Sequence, residues 1–342
     1  MPDESLKTYQ EVIDYLKEKR KKDKRHISLL FGNGFSMGFN PDIFSYNALS
    51  KFVKGCKDPT IIKLFHIVGT TNFELIMRTL NLFVDFGKEF APEAKIDEKI
   101  LLAKDKLKKN LLNAIASLHP EHVFKVPESK SKSCAYFLKD YIDNEGSIFS
   151  TNYDLLLYWV LMRESKVFDK KILDGFSRGD NADLTWGIGA QNIFYLHGSL
   201  PLFDTGYSII KEEYEHENYI LQNIKRRIDK DQYPIFVTAG TAEEKMKVIM
   251  HNRYLFNCYN SLESLRGSLV VIGFNFGEYD NHIIDAINRA ATKRSLCSLF
   301  IGYYLEEDKT HLLEICPRFK LPPEKIRLFD SKTANIWDNT PQ

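Results

Sequence analysis

The stretch ISLLFGNGFS, residues 27–36, decides the fold, because an apolar run of five residues stops at a glycine-rich turn. A continuous apolar run of this length is typical of a strand buried on both faces of a parallel sheet. Gly32, Gly34 and Gly38 follow closely. Glycine lets the backbone approach a phosphate, and the free N–H groups of a helix starting after Ser36 would attract it. The stretch therefore predicts either a nucleotide-binding loop or an ordinary strand followed by a turn.

The strict dinucleotide-binding fingerprint is not met by this stretch. The fingerprint requires G-x-G-x-x-G and an acidic residue about 20 positions later. Here the third glycine comes one place late, and no acidic residue ends a second strand at the expected distance.

Six further apolar runs after residue 146 predict the remaining strands. Most are continuous and alternate with helical stretches, which indicates a doubly wound α/β sheet. The runs are SIFST, NIFYLHG, PIFVTAG, SLVVIGF, SLCSLFIGYY and KIRLFD. We therefore predict a Rossmann-like fold, with a doubly wound, mainly parallel sheet that has ISLLF as its first strand.

The connection between ISLLF and SIFST is long and helical in character. It spans about 115 residues, whereas an ordinary crossover unit takes about 30. We predict a large helical insertion at residues 50–145 and a Rossmann-like domain made of residues 27–49 and 146–342. Residues 1–26 form an N-terminal basic helix. Its cationic tail is either a solvated helix end or a phosphate-binding patch.

Composition limits the class of protein. The chain has 342 residues, 44% of them hydrophobic, which is ample for a large core. Its net charge of +1 gives no attraction to nucleic acid, which we expect to be contacted at most through a partner. No apolar run is long enough to predict a membrane span or a signal segment. The five scattered cysteines contain no C-x-x-C pair, which favours the cytoplasm and argues against a zinc ribbon.

Polar side chains follow two of the predicted strands, at the edge where open α/β sheets bind ligands. Thr151, Asn152 and Asp154 follow SIFST, and His197 follows NIFYL. Asn152 or Asp154 can equally cap the next helix, and His197 can equally be a satisfied core residue. These side chains are candidates for a site, with a structural alternative for each.

A third loop, GFNFG at residues 273–277, follows SLVVI, and Asp280 is a predicted N-cap for the next helix. No residues have the spacing of metal ligands. The nearest group is EEYEHEN at residues 212–218, which we interpret as a solvated stretch because its acidic residues are adjacent. No metal site is predicted.

The order of these motifs resembles the sirtuin-like family, and in particular its prokaryotic antiphage-defence branch, whose members hydrolyse NAD. The resemblance rests on G-x-G-x-S, T-N-Y-D, a strand ending in H-G, and I-G-F-N-F followed by D-x-H-I. It extends from about residue 27 to about residue 290 and includes the segments TNFE, DGF and KVIMHNRYL. It implies a Rossmann-like domain with NAD as its substrate.

The resemblance also implies a role for individual positions. Asn152 matches the essential asparagine of the family, and His197 matches its catalytic histidine. Around the cofactor we place Gly32, Asn33, Gly34, Phe35 and Ser36 at the phosphates and ribose, Thr151 and Asp154 after the second strand, and Gly273, Asn275 and Phe276 beside the adenosine half.

The chemistry of NAD hydrolysis suits these residues. Nicotinamide is a cationic pyridinium that leaves as a neutral base, so no general acid is required to protonate it. Asn152 would bind a ribose hydroxyl or the attacking water. His197, titrating near neutral pH, would accept a proton. No metal is needed for these steps.

Two departures from the protein-deacylating sirtuins argue against deacylation. Those enzymes carry a zinc ribbon with two C-x-x-C pairs, and Gly-Ile-Pro-Asp-Phe-Arg in the cofactor loop. This chain lacks the pairs and has FNPDIF at residues 39–44, without the arginine. We therefore predict an NAD hydrolase that acts as the effector of an antiphage defence system. A non-catalytic sensor or assembly subunit that binds NAD or ADP-ribose is the alternative, and a deacylase is less favoured.

The resemblance further implies partners. Family members pair with short argonautes, HerA-type hexameric ATPases or phage proteins. Uncontrolled loss of NAD would kill the host, so a partner that senses infection is expected. We expect a HerA-type ATPase or another infection sensor as the partner, and a homo-oligomer.

Overall fold

A computed structural model describes residues 6–44, 58–69, 73–178, 183–214, 219–230, 232–237 and 241–338. The strands in chain order are β1 (Ile27–Phe31), β2 (Ile148–Ser150), β3 (Phe176–Arg178), β4 (Leu184–Trp186), β5 (Ile193–Tyr195), β6 (Gly198–Asp204), β7 (Ile209–Lys211), β8 (Pro234–Phe236), β9 (Gly267–Ile272), β10 (Leu296–Tyr303) and β11 (Ile326–Asp330). The α-helices are α1 (Tyr9–Asp23), α2 (Asn33–Phe39), α3 (Pro41–Phe44), α4 (Pro59–Val68), α5 (Phe73–Phe90), α6 (Ile96–Leu118), α7 (Glu128–Ile142), α8 (Leu156–Arg163), α9 (Ile220–Asp229), α10 (Ala242–His251), α11 (Arg253–Glu263), α12 (Asn281–Thr292) and α13 (Glu306–Ile315).

Six strands form a parallel sheet in the order β11-β10-β9-β1-β2-β5. Counting only the strands of this sheet in chain order, the arrangement is 3-2-1-4-5-6, the order of dinucleotide-binding folds. The predicted Rossmann-like, doubly wound parallel sheet is confirmed, and ISLLF is its first and central strand. The order reverses between β1 and β9, which is the point where such sheets bind ligands.

Strand β1 occupies the centre because all five of its residues are apolar or small. It is buried along its whole length and pairs with β2 on one edge and β9 on the other. Helices pack against the sheet, with α7 against β1, α11 against β5, and both α12 and α13 against β10. A strand covered on both faces has no polar side to expose, which explains its continuous apolar run.

One predicted strand does not belong to the parallel sheet. The run PIFVTAG supplies β8, which pairs antiparallel with β6 in a second sheet of order β3-β4-β7-β6-β8. The chain passes from the first sheet to the second at His197 and Gly198. Gly198 has a φ of +83°, and a Cβ there would lie 1.9 Å from the Ile235 carbonyl oxygen. A run of three apolar residues fits either sheet, so only this close crossing decides where β8 pairs.

The helical region between β1 and β2 contains two kinds of packing. Helices α4, α5 and α6 bury a small cluster of their own, made of Ile61, Ile76, Met77, Leu80 and Leu107. Helix α7 instead packs in the main core against β1. Among the described residues, no helix combines the length and the apolar character needed to cross a membrane.

The N-terminal helix α1 also packs in the main core, through Tyr9, Val12, Ile13 and Leu16. Cations of its basic tail form ion pairs with residues of the α7 segment. Lys17 lies 2.6 Å from Asp140, and Arg20 lies 3.0 Å from Glu145. This pairing supports the interpretation of the tail as a helix end rather than a phosphate-binding patch.

His119 connects the end of α6 to the loop that follows β2 through a hydrogen bond. Its Nε2 accepts the backbone N–H of Leu155 at 2.9 Å, and its ring packs edge-on against Trp159. Burial lowers the pKa of His119 from 6.5 to about 4. The neutral ring is therefore the form that accepts the hydrogen bond in the folded chain.

This buried histidine predicts a pH dependence of stability. The unfolded chain binds the His119 proton near pH 6.5 and the folded chain only near pH 4, so acid favours unfolding between these values. The slope is about 1.4 kcal/mol per pH unit for each such group. We expect His119→Gln, which keeps an acceptor but cannot titrate, to lose about 2 kcal/mol less stability than the parent chain between pH 7 and pH 5. Urea unfolding of both proteins measures this difference, and parallel pH profiles would contradict it.

Candidate functional site

Three neighbouring strands of the parallel sheet end in register at one edge. Phe31 of β1 pairs with Ser150 of β2, and Ser150 pairs with Tyr195 of β5. The Leu196 N–H continues this ladder to the Ser150 carbonyl at 2.8 Å. Asn152 and His197 each lie two residues beyond a paired position, on strands spaced about 4.8 Å apart. The fold therefore brings the two predicted catalytic residues to adjacent strand ends.

The glycine-rich turn after β1 differs from the expected phosphate loop. Helix α2 begins at Asn33, directly after Gly32, and not after Ser36 as predicted. The Gly32 N–H donates to the Ile272 carbonyl at 3.2 Å, and the Gly34 N–H donates to the Gly273 carbonyl at 2.9 Å. The N–H groups of Gly32 and Gly34 are therefore hydrogen-bonded to the end of β9 and the residue after it. Neither N–H group is free to bind a phosphate.

Gly34 and Gly273 permit the close contact between these two loops. A Cβ on Gly34 would lie 2.5 Å from the Cα of Gly273, which is closer than side-chain carbons approach backbone atoms. Gly273 has a φ of +63°, and a Cβ there would lie 2.7 Å from the Cα of Gly34. Glycine at these positions therefore allows the loop after β1 to pack closely against the loop after β9, where the strand order reverses.

Ser36 links the loops that follow β1 and β2. Its fully buried hydroxyl donates to Asp154 Oδ2 at 2.5 Å and accepts from Asn152 Nδ2 at 2.8 Å. Asp154 also accepts the Leu156 N–H at 2.9 Å, so it acts both as a helix-entry cap and as a member of this network. Burial raises the pKa of Asp154, while the bond from Ser36 opposes that rise. The network fixes the orientation of the Asn152 side chain.

The remaining residues of the TNYD loop hold it in place. The Thr151 hydroxyl donates to the Phe31 carbonyl at 3.3 Å, which ties the loop to the end of β1. The Tyr153 carbonyl accepts the Leu200 N–H at 2.8 Å, and its hydroxyl donates to the Val237 carbonyl at 2.5 Å. Thr151 is thus a structural contact, and the loop is anchored to both sheets.

Two of the predicted cofactor residues have side chains in the core. Phe35 stacks on Phe31 with ring centroids 4.2 Å apart, and Phe276 is fully buried against Phe319. The Phe35 backbone is engaged as well, since its N–H donates to the Gly32 carbonyl at 3.0 Å and its carbonyl accepts from Trp337 Nε1 at 2.8 Å. Asn33 and Asn275 are exposed at the same edge of the sheet, and the Asn33 side-chain amide donates to the Phe44 carbonyl at 3.1 Å.

His197 contacts a second buried histidine, His282 of α12. The two Nε2 atoms lie 2.9 Å apart. Burial lowers the pKa of His197 well below its usual 6.5, and the pKa of His282 falls to about 4 for the same reason. The expectation that His197 titrates near neutral pH is therefore wrong for this conformation, in which the ring is neutral and weakly basic.

Asp280 and Lys245 form an ion pair beside the two histidines. Asp280 occupies the N-cap position of α12 as predicted, but its carboxylate does not cap the helix and accepts instead from Lys245 Nζ at 2.9 Å. Lys245 is 2% exposed. The ammonium group lowers the pKa of both histidines, so its positive charge acts on the whole cluster.

The fold assembles metal-type donors that spacing did not reveal. Ligand atoms of His197, Asp280 and His282 lie within 4.8 Å of one another. The Lys245 ammonium opposes a metal cation there, because like charges repel one another at a buried site. The Asp280 carboxylate is already paired with that ammonium. The donor types fit a metal, whereas the charge balance favours a metal-free cluster.

Sequence reasoning missed His282 and Lys245 as members of the site. His282 lies in the quoted D-x-H-I motif, where it was passed over in favour of the apolar face of its helix. Lys245 lies on α10 with no distinguishing pattern around it. His197 and His282 are 85 residues apart in sequence, so no local spacing could join them.

Two cavities occur elsewhere on the described surface. One, of about 430 Å³, lies beside the FNPDIF segment and is lined by residues including Phe39, Asn40 and Lys130. The other, of about 480 Å³, lies along α12 and is lined by residues including Arg289 and Lys320. Asn152 and His197 line neither of them, because both side chains are more than nine-tenths buried.

The contact between Gly34 and Gly273 predicts a specific stability defect. A Cβ at residue 34 must displace the Gly273 backbone, and overpacking of this kind costs about 1–3 kcal/mol. We expect Gly34→Ala to lose that much stability in chemical denaturation. Gly189→Ala is the matched control, since no atom lies within 4 Å of its Cβ position. Equal stability of the two variants would show that the loops can separate freely.

Comparison with known proteins adds one match. A family described as a domain of unknown function, DUF4917, matches residues 29–337. A search of curated proteins finds no match.

Proposed function

The chain belongs to this DUF4917 family, and we propose that it is an NAD glycohydrolase. Its role would be that of an effector in antiphage defence, gated by a partner or by oligomerisation. The observation that carries the proposal is the placement of Asn152 and His197 at adjacent ends of a sheet with dinucleotide-binding strand order. We choose NAD as the substrate because the motifs resemble those of sirtuin-like defence proteins.

The proposed reaction exchanges one bond at the nicotinamide ribose. Water forms a bond to C1′ as the N-glycosidic bond breaks, and nicotinamide leaves as a neutral base with the bonding electron pair. One proton of the water passes to a base, and ADP-ribose is the other product. His197 accepts that proton or the proton of a ribose hydroxyl.

Asn152 is suited to hold the ribose or the water. Its Nδ2 donates to Ser36, so the amide orientation is fixed and Oδ1 is left as an acceptor for a hydroxyl group. Asp154 restrains Ser36 in turn through the 2.5 Å bond. A neutral amide binds these groups without adding charge near the cationic nicotinamide ring.

The burial of the site supports gating. Asn152 is 8% exposed and His197 is 5% exposed, so NAD needs the site to open before it reaches either group. Opening would also hydrate His197 and raise its pKa towards neutrality, which makes it a stronger base. A resting state that is closed and weakly basic is what a toxic NAD hydrolase requires before its activation.

The same burial gives the alternative its one supporting observation. A histidine with a strongly lowered pKa, engaged with His282, is a poor base in this conformation. A chain that binds NAD or ADP-ribose without turnover would use the sheet edge and leave this pair closed. Measured turnover separates the two proposals.

Loss of either proposed catalytic residue should strongly reduce NAD turnover and leave the binding of ADP-ribose intact. We expect His197→Ala to reduce nicotinamide release by about 10²- to 10⁴-fold, the span for loss of an acid–base group. Asn152→Ala should also reduce it strongly, because the group that holds the ribose or the water is lost. Calorimetry should still detect ADP-ribose binding. His251→Ala is the control, because His251 is exposed at the end of α10. Release is measured with and without candidate partner proteins.

The result can go against the proposal in two ways. Unchanged turnover in His197→Ala would remove this residue from the mechanism. Absence of both turnover and ADP-ribose binding in the parent chain, with every candidate partner present, would reject NAD as the ligand. A large fall in the melting temperature of Asn152→Ala would favour its structural interpretation as part of the loop network.

A chelator provides a separate prediction. Lys245 places a positive charge beside the metal-type donors, so the reaction should proceed without a bound cation. We expect NAD consumption to be unchanged after prolonged treatment with a strong chelator. Loss of activity that added zinc restores would establish a metal at His197, Asp280 and His282 instead.

A further inference from the structure

We infer that His282 is a positioning residue for His197, because the hydrogen bond between their Nε2 atoms holds the His197 ring in a single tautomer. The inference deepens the proposed function, on which its catalytic meaning rests. The arrangement of the two rings can be tested without any turnover of NAD.

The distance between the rings indicates a hydrogen bond. The two Nε2 atoms are 2.9 Å apart, and both side chains are at least 95% buried. Each neutral imidazole carries one N–H and one acceptor nitrogen, so one ring donates and the other accepts. Two nitrogens bound to one tetrahedral zinc at about 2.05 Å would be about 3.3 Å apart, so the closer spacing favours the hydrogen bond.

The other ring nitrogen of His282 does not compete for this bond. Among the described residues, His282 Nδ1 is buried and has no hydrogen-bond partner, so Nε2 makes the hydrogen bond of this ring. A bond between two neutral rings pairs one N–H with one acceptor nitrogen, so it fixes which nitrogen of His197 carries hydrogen.

Helix α11 and the ion pair hold His282 in this position. The Tyr259 hydroxyl donates to the backbone carbonyl of His282 at 3.2 Å. Lys245 on α10 and Asp280 ahead of α12 are the charged groups that act on the two rings. Because Lys245 and Asp280 neutralise each other, neither ring needs to ionise to balance a charge. The second histidine therefore fixes a tautomer, which is a common task for a group bonded to a catalytic imidazole.

The test uses the full chain labelled with ¹⁵N-histidine. Long-range proton–nitrogen spectra report which ring nitrogen carries hydrogen, and the spectrum of His197→Gln assigns the His197 signals. We expect His197 to be neutral and in a single tautomer from pH 8 down to pH 6. In His282→Ala both tautomers should appear, and the titration midpoint of His197 should rise by about one pH unit or more.

A conservative variant and a control sharpen the experiment. The side-chain amide of Gln in His282→Gln can hydrogen-bond to His197 Nε2, so this variant should restore a single dominant tautomer. His251→Ala should leave the His197 signals unchanged. A loss of packing alone would affect His282→Ala and His282→Gln alike, and would not restore one tautomer selectively.

Several outcomes would overturn the inference. A mixture of both His197 tautomers in the parent chain would do so even if His282→Ala did not fold. An unchanged tautomer in folded His282→Ala would do so as well. Stoichiometric binding of added zinc with loss of both Nε2 signals would replace the hydrogen bond with a metal site. A chain that hydrolyses no NAD would refute the proposed function and leave the histidine pair intact.

Discussion

Strand β1 is hydrogen-bonded on both edges and buried on both faces, and every part of the candidate site is placed relative to it. Its pairing with β2 determines where Asn152 lies at the carboxyl edge of the sheet. Its pairing with β9 brings Gly34 against Gly273. A shift of one residue in either ladder would move Asn152 relative to the end of β1 or separate Gly34 from Gly273, so the site depends on the register at this strand.

The site itself is built from polar groups that hydrogen-bond to one another inside an apolar core, although His282 Nδ1 has no partner among the described residues. Ser36, Asn152 and Asp154 form one network, and the His197–His282 and Lys245–Asp280 pairs lie together in a second group. A buried polar group left without a partner costs about 1–3 kcal/mol, so each network is stable only when its members are complete. This requirement explains why the candidate catalytic groups are closed off and oriented at the same time.

Burial and reactivity oppose each other at His197. The apolar surroundings that position the ring also lower its pKa, and a weaker base removes a proton less readily. The proposed gating resolves this opposition, because access for NAD and hydration of the ring would come from the same opening. The cluster with Lys245 and Asp280 keeps the resting state neutral overall, without the ionisation of either histidine.

The sequence by itself determined the central parallel strands, the buried face of α1 and the loops at the ligand edge, because hydrophobic pattern and turn residues are local signals. It misassigned β8, began α2 four residues late and predicted that His197 titrates near neutral pH. Pairing direction, burial and the union of His197 with His282 depend on residues far apart in the chain. Only the tertiary structure decided them, because distance and desolvation depend on how groups pack in three dimensions and not on adjacent residues in the sequence.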